Sequence, residues 1–173
     1  MCFRVLRQWQ TSNDKKIYQE FCRETSIWRQ LRHPNVLPLI GVSMEIFPRR
    51  YCFVIPWMNN GSVISYLKAH PEQDKCFFIK QIIEGLAYLH QLDPPVAHKD
   101  LKGDNILVGP DLTCFITDFG LSSMLDSQRS RTAGRGTQYW MAPELFGLVA
   151  LNLDPRPRDV YSLGCTISEV GYP

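Results

Sequence analysis

Two short apolar runs, Ile106–Val108 and residues 114–117, are joined by a Gly109-Pro110-Asp111 turn and bracketed by polar residues. Such runs, separated by a tight polar turn, read as a β-hairpin. Asp100, Lys102, Asp104 and Asn105 precede it, and Asp118 follows thirteen residues beyond Asn105. A hairpin folds its ends together, so Asp118 returns beside Asn105. Three carboxylates, an amide and a lysine then share one set of loops. Their hard oxygen donors suit magnesium, which takes few protein ligands and completes its shell with water and substrate phosphates. This constellation points to nucleotide chemistry, and the rest of the chain must fold so as to hold it.

The flanking sequence divides into elements that can do so. Residues 1–6 are apolar and strand-like. Ser12, Asn13 and Asp14 are candidate helix N-caps, and Ile17, Phe21, Trp28 and Leu31 follow at helical spacing. His33-Pro34-Asn35 is expected to stop that helix, because a residue before proline is pushed out of helical geometry. The apolar runs 36–42 and 51–56 read as neighbouring antiparallel strands. Asn59-Asn60-Gly61-Ser62 is a turn signal, followed by a short helix at Val63–Ala69. Residues 76–89 form a helix apolar on most sides, expected to be buried and ended by Pro94-Pro95. Residues 122–138 lack periodicity and read as one long functional loop. Residues 159–170 read as a final helix, apolar on several faces.

Composition narrows the classes. With 173 residues the chain fits one domain, and a formal net charge of +2 argues against a nucleic-acid or membrane-surface partner. The six cysteines are scattered without a CxxC pair, so they read as reduced and mostly buried, with no zinc site. There is no secretory signal and no apolar run of the roughly 18 residues needed to cross a bilayer. The expected compartment is the cytoplasm, with nuclear access open.

His98-Lys99-Asp100-Leu101-Lys102-Gly103-Asp104-Asn105, then Asp118-Phe119-Gly120, then Ala142-Pro143-Glu144, resembles in order the signature set of eukaryotic protein kinases. The resemblance covers essentially the whole chain. It implies an α+β, two-lobed fold in which residues 1–57 are a small-lobe remnant and residues 58–173 a large-lobe portion. It also implies that the domain is cut short at both ends, without the first strands and the last helices. The activity implied is transfer of the ATP γ-phosphate to serine or threonine hydroxyls of protein substrates, in signal transduction. Asp100 would accept the proton of the substrate hydroxyl and Lys102 would steady the transferring phosphate. Asn105 and Asp118 would hold Mg2+. His98 and Phe119 would set loop geometry, Gly120 would permit the backbone turn, and Asp159 would tie down the catalytic loop.

Glu24 shares a helix face with Ile17, Phe21, Trp28 and Leu31. A carboxylate on an apolar stripe costs several kcal/mol unless a cation accompanies it. In kinases the partner is a lysine on the preceding strand, and here the matching position is Arg4. Arginine keeps the charge but is longer, planar and forked, so reduced activity is expected. The glycine-rich loop of the family would lie before Met1. These departures keep a second reading open: a non-catalytic, pseudokinase-like or truncated binding module.

The nucleotide-binding set implied by the resemblance is Arg4, Glu24, Ile55 as gatekeeper, Met58 in the hinge and Leu107. Lys102 within D-L-K-x-x-N and Gly136-Thr137 ahead of Ala142-Pro143-Glu144 resemble serine/threonine rather than tyrosine kinases, and the Gly61-Ser62-Val63 turn and Tyr139-Trp140-Met141 resemble the tyrosine-kinase-like group of those enzymes. Glu144 would pair with an arginine beyond the chain. Ser122, Ser123, Ser127, Ser130 and Thr132 are candidate loop hydroxyls, with Arg129, Arg131 and Arg135 among them. A phosphate on Ser130 or Thr132 would pair with Lys99, whereas Thr137 would dock substrate. An exposed apolar face on the last helix predicts poor solubility.

Overall fold

A computed structural model describes residues 2–5, 14–46, 51–118, 137–146 and 154–173. The loop hydroxyls Ser122 to Thr132, their arginines, and Phe119, Gly120 and Gly136 lie outside the described residues. So do the side chains of Arg4, Thr137 and Glu144.

Strand β1 (Cys2–Val5) is followed by helix α1 (Asp14–Trp28), β2 (Gly41–Ser43) and β3 (Cys52–Ile55). The three strands form one antiparallel sheet in the order β1-β3-β2. Arg4 lies opposite Phe53 in the β1–β3 register, and Val42 lies opposite Phe53 in the β2–β3 register. Phe53 is fully buried, with ring centroids 5.0 Å from Phe21 and 5.2 Å from Trp28 of α1. Aromatic pairs at this separation add about 0.5–1.5 kcal/mol each beyond their buried area. This stack fastens α1 to the sheet.

Helix α1 ends earlier than the proline signal suggests. Gln30 N–H donates to Ile27 O and Leu31 N–H to Trp28 O, so i→i−3 bonds replace the α-helical pattern after Arg29. Thr25 and Ser26 hydroxyls also bond back to the carbonyls four residues earlier, a pattern that loosens helices. Leu31 is buried all the same, but outside the helix.

The apolar run 36–42 is not one strand. Val36 bridges Ile116 and Leu37 N–H donates to Ile116 O, whereas Ile40 N–H donates to Val54 O. Its first half therefore belongs with the hairpin and its second half with the sheet. Apolarity is the same in both halves, so the sequence pattern carries no signal for the division.

Helix α2 (Val63–Ala69) begins where the turn predicts. Gly61 has φ of 68°, and the Ser62 hydroxyl caps the helix by accepting from Ser65 N–H. Helix α3 (Lys75–Gln91) is capped by Asp74. It buries Phe78, Ile82, Gly85, Leu86 and Leu89 but leaves Phe77 and Ile83 exposed. The expectation of burial on most sides is therefore corrected to one buried face. Strands β4 (Ile106–Val108) and β5 (Cys114–Ile116) form the expected hairpin, with Ile106 opposite Ile116. Helix α4 (Arg156–Gly171) contributes buried Asp159, Ser162, Thr166 and Val170 and exposes Val160 and Tyr161.

Cys52 and Cys114 are buried and Cys76 is exposed, so only part of the cysteine set is in the core. Burial pushes the Cys114 thiol up to about 12, which leaves it protonated and inert. No helix among the described residues is long and apolar enough to cross a membrane.

Candidate active site

The hairpin does what its sequence implies. Ile106 pairs with Ile116, and the next residues continue the ladder through Thr117 N–H donating to Asn105 O at 3.0 Å. Asp118, one residue on, therefore leaves the same end of the hairpin as Asn105. The Asn105 amide Nδ2 donates to Asp100 O at 2.7 Å and to Asp100 Oδ2 at 3.2 Å. Lys102 Nζ reaches the same carboxylate oxygen at 3.2 Å. Asp100, Lys102 and Asn105 thus form one bonded cluster, and Asp118 stands at the neighbouring strand end.

The loop carrying Asp100 is anchored from below by α4. Asp159 is fully buried, and its carboxylate accepts from His98 N–H at 2.7 Å and Lys99 N–H at 2.6 Å. The same carboxylate bonds the His90 ring at 2.8 Å. His98 is also fully buried. Its Nδ1 accepts from Asp100 N–H, which assigns the ring proton to Nε2, donating to Thr117 O at 2.8 Å. One imidazole therefore ties the Asp100 loop to the residue before Asp118. Burial lowers the His98 pKa, against the raising pull of Asp159, the Thr117 carbonyl, Asp100 and Asp118. The ring is neutral, as its tautomer requires.

Lys99 and Asp118 both adopt left-handed backbone, with φ of 70° and 68°. Non-glycine residues rarely do so, and such conformations gather where surrounding structure holds a functional geometry. Lys99 itself is exposed.

On the other side, Glu24 is only 6% exposed on the α1 face that carries Phe21 and Trp28. Ile55 is buried at the end of β3 and Met58 is half-buried just beyond it. Val108 N–H donates to Gly61 O, and Ser62 bridges Leu107, so the segment after β3 is stitched to the hairpin. This brings the Met58 segment and Leu107 into one hydrogen-bonded unit with the Asn105 end.

The donor set fits a nucleotide-borne magnesium ion. Among the described residues no three His, Cys, Asp or Glu side chains converge as a protein-only cage. Mg2+ brought by phosphates needs only one or two protein oxygens. With Asn105 Nδ2 committed to Asp100, its Oδ1 is the amide atom that would be left for a metal.

Sequence reasoning did not single out His90 or Glu169. Glu169 Oε2 accepts from Gly103 N–H at 3.0 Å inside the same loop. Its signal was a carboxylate beside apolar Val170 on a helix otherwise buried on that side.

Comparison with known proteins identifies the family to which this fold belongs. The protein kinase domain model matches residues 2–172. The chain belongs to the protein kinase family. It is 34% identical over 157 residues to mitogen-activated protein kinase kinase kinase 5 of Arabidopsis thaliana, covering 86% of this chain and 21% of that protein. It is 33% identical to the serine/threonine-protein kinase CTR1 of the same plant, covering 87% and 19%. Against the serine/threonine-protein kinase TNNI3K of Mus musculus it is 36% identical, covering 73% and 16%. The chain thus spans about a fifth of the length of these curated relatives.

Proposed function

We propose that this chain carries the catalytic centre of a serine/threonine protein kinase, transferring the ATP γ-phosphate to hydroxyls of protein substrates in the cytoplasm. The observation that carries the reading is the shared Asp100 carboxylate, held at 3.2 Å by both Lys102 and Asn105. A base that must meet a substrate hydroxyl has to be fixed in direction, and these two donors with the buried His98 fix it. Asp100 accepts the hydroxyl proton as the oxygen attacks. Lys102, already at that carboxylate, lies where negative charge develops on the moving phosphoryl group. Asn105 Oδ1 and the Asp118 carboxylate would hold Mg2+, which when bound neutralises phosphate charge. Ile55, Met58 and Leu107 would line the adenine side. Arg4 and Glu24 would form the pair that orients the remaining phosphates, and the boundary between the two lobes falls near residue 57.

The test is phosphoryl transfer from Mg·ATP to a generic basic-protein substrate. Asp100→Asn should lower kcat by roughly 10²- to 10⁴-fold, the range of general-base contributions, with the KM for ATP nearly unchanged. Transfer by Asp100→Asn equal to wild type would reject the assignment.

A second reading, a nucleotide- or partner-binding module of low activity, is favoured by one residue, Arg4. A forked guanidinium grips a carboxylate well and a tight phosphate site poorly. Arg4→Lys should raise transfer several-fold without changing the response to Asp100→Asn. No gain from Arg4→Lys in a chain that binds Mg·ATP but transfers nothing would favour the binding module.

A further inference from the structure

Glu169 makes a specific bond to the catalytic loop that the reading above leaves without a role. The 3-10 turn Gly103–Asn105 lies between Lys102 and the hairpin, and it carries Asn105. The first N–H groups of such a turn have no partner within it. The flanking residue Lys102 provides no side-chain cap, since a lysine ammonium has donors and no acceptor. Glu169 of α4 supplies the missing acceptor to Gly103 N–H at 3.0 Å. A carboxylate accepting from a backbone N–H makes a charge-assisted bond, about twice as strong as a neutral one.

Gly103 leaves the turn no freedom on its other side. A Cβ there would come within 2.3 Å of Ile64 Cγ1 on α2 and 2.9 Å of Glu169 Oε2. The turn is therefore clamped between an apolar wall and an anionic acceptor, and only glycine fits between them. Asp159 and Glu169 stand ten positions apart on α4, which is about 15 Å along a helix axis. Asp159 holds the start of the loop through His98 and Lys99, and Glu169 holds its end through Gly103. One rigid helix thereby sets the span between the two ends of the loop that carries Asp100, Lys102 and Asn105.

We propose that Glu169 is a positioning residue for phosphoryl transfer, fixing through the Gly103 amide where Lys102 and Asn105 stand relative to Asp100. The proposal rests on the kinase reading of that loop. Misplacement of a catalytic group by an ångström costs up to about 100-fold in rate. Glu169→Ala should therefore lower kcat on the order of 10- to 100-fold, with the KM for ATP changed by no more than about twofold. Glu169→Gln keeps an acceptor oxygen of the same reach and should retain most of the rate. If Glu169→Ala does not fold, Glu169→Asp, one methylene shorter, provides the same comparison with Gln. Amide hydrogen exchange on the whole chain supplies a readout independent of activity: the Gly103 amide should be protected in wild type and in Glu169→Gln. A Gly103 amide that exchanges as fast as exposed amides in wild type overturns the proposal. So does Glu169→Gln as impaired as Glu169→Ala, or a loss that falls on KM instead of kcat. A wild-type chain that transfers no phosphate sinks the kinase reading instead, and the Gly103 amide in the same sample still judges the clamp.

Discussion

The two sides of the candidate site are held by different physics. Around the hairpin, geometry is set by polar bonds of defined direction: Asp159 to two backbone N–H groups, His98 to Thr117 O, and Asn105 to Asp100. Around the three-stranded sheet it is set by an aromatic stack, Phe21 and Trp28 on Phe53, with the Glu24 carboxylate buried beside it. Apolar stacking fastens an element strongly but specifies its direction weakly, whereas a buried hydrogen bond contributes less and specifies more. The side that performs the proposed proton transfer is the one with directional bonds. The side proposed to grip phosphates leans on packing.

That contrast can be broken by experiment. Phe53→Ala should be the most destabilising change, by about 4 kcal/mol, because truncating a buried phenylalanine loses transfer energy and leaves a cavity. Urea denaturation measures it, and at low denaturant the folded fraction should retain the kcat of wild type. Asp159→Asn should cost less stability, about 2 kcal/mol for one ill-matched buried acceptor, yet lower kcat more than Phe53→Ala does. If Phe53→Ala were the more damaging to kcat in folded protein, the division between fastening and directing would fail.

The smallest effect is on pH dependence. Burial holds the His98 pKa below the ordinary imidazole value of about 6.5. Above that pH the ring is neutral in both folded and unfolded chains and contributes no slope. Below it the unfolded chain takes up a proton that the buried ring refuses. Stability should therefore fall as the pH drops below 6.5, and keep falling until the folded-state pKa is reached. His98→Gln should flatten this part of the profile of Tm against pH. An unchanged slope in that variant would show that another group carries it.

Much of this was legible in the residues because local chemistry decided it. Gly61 followed by a serine cap placed α2, and alternating turn and apolar residues placed the hairpin. Asp159 was readable as an anchor because the motif around it is specific. What could not be read depended on distant partners. The division of residues 36–42 between hairpin and sheet follows from where Ile116 and Val54 stand, and no periodicity encodes that. The left-handed backbone at Lys99 and Asp118 carries no glycine to announce it. The exposure of Phe77 and Ile83 on α3 followed from which face met the core, which an all-round apolar helix does not declare.

The divided run has a mechanical consequence. Trp28 at the end of α1 donates its indole N–H to Leu37 O at 2.6 Å, and the next link from Leu37 is to Ile116. The far end of α1 is thus moored to the hairpin side as well as to the sheet, where Trp28 stacks on Phe53, while its middle is held to the sheet through Phe21. Residues 38–40 are the strap between these two allegiances. A swing of the helix would pivot on its moored end, so the greatest travel falls to the end that begins at Asp14, and Glu24, nearer the mooring, moves through a shorter arc.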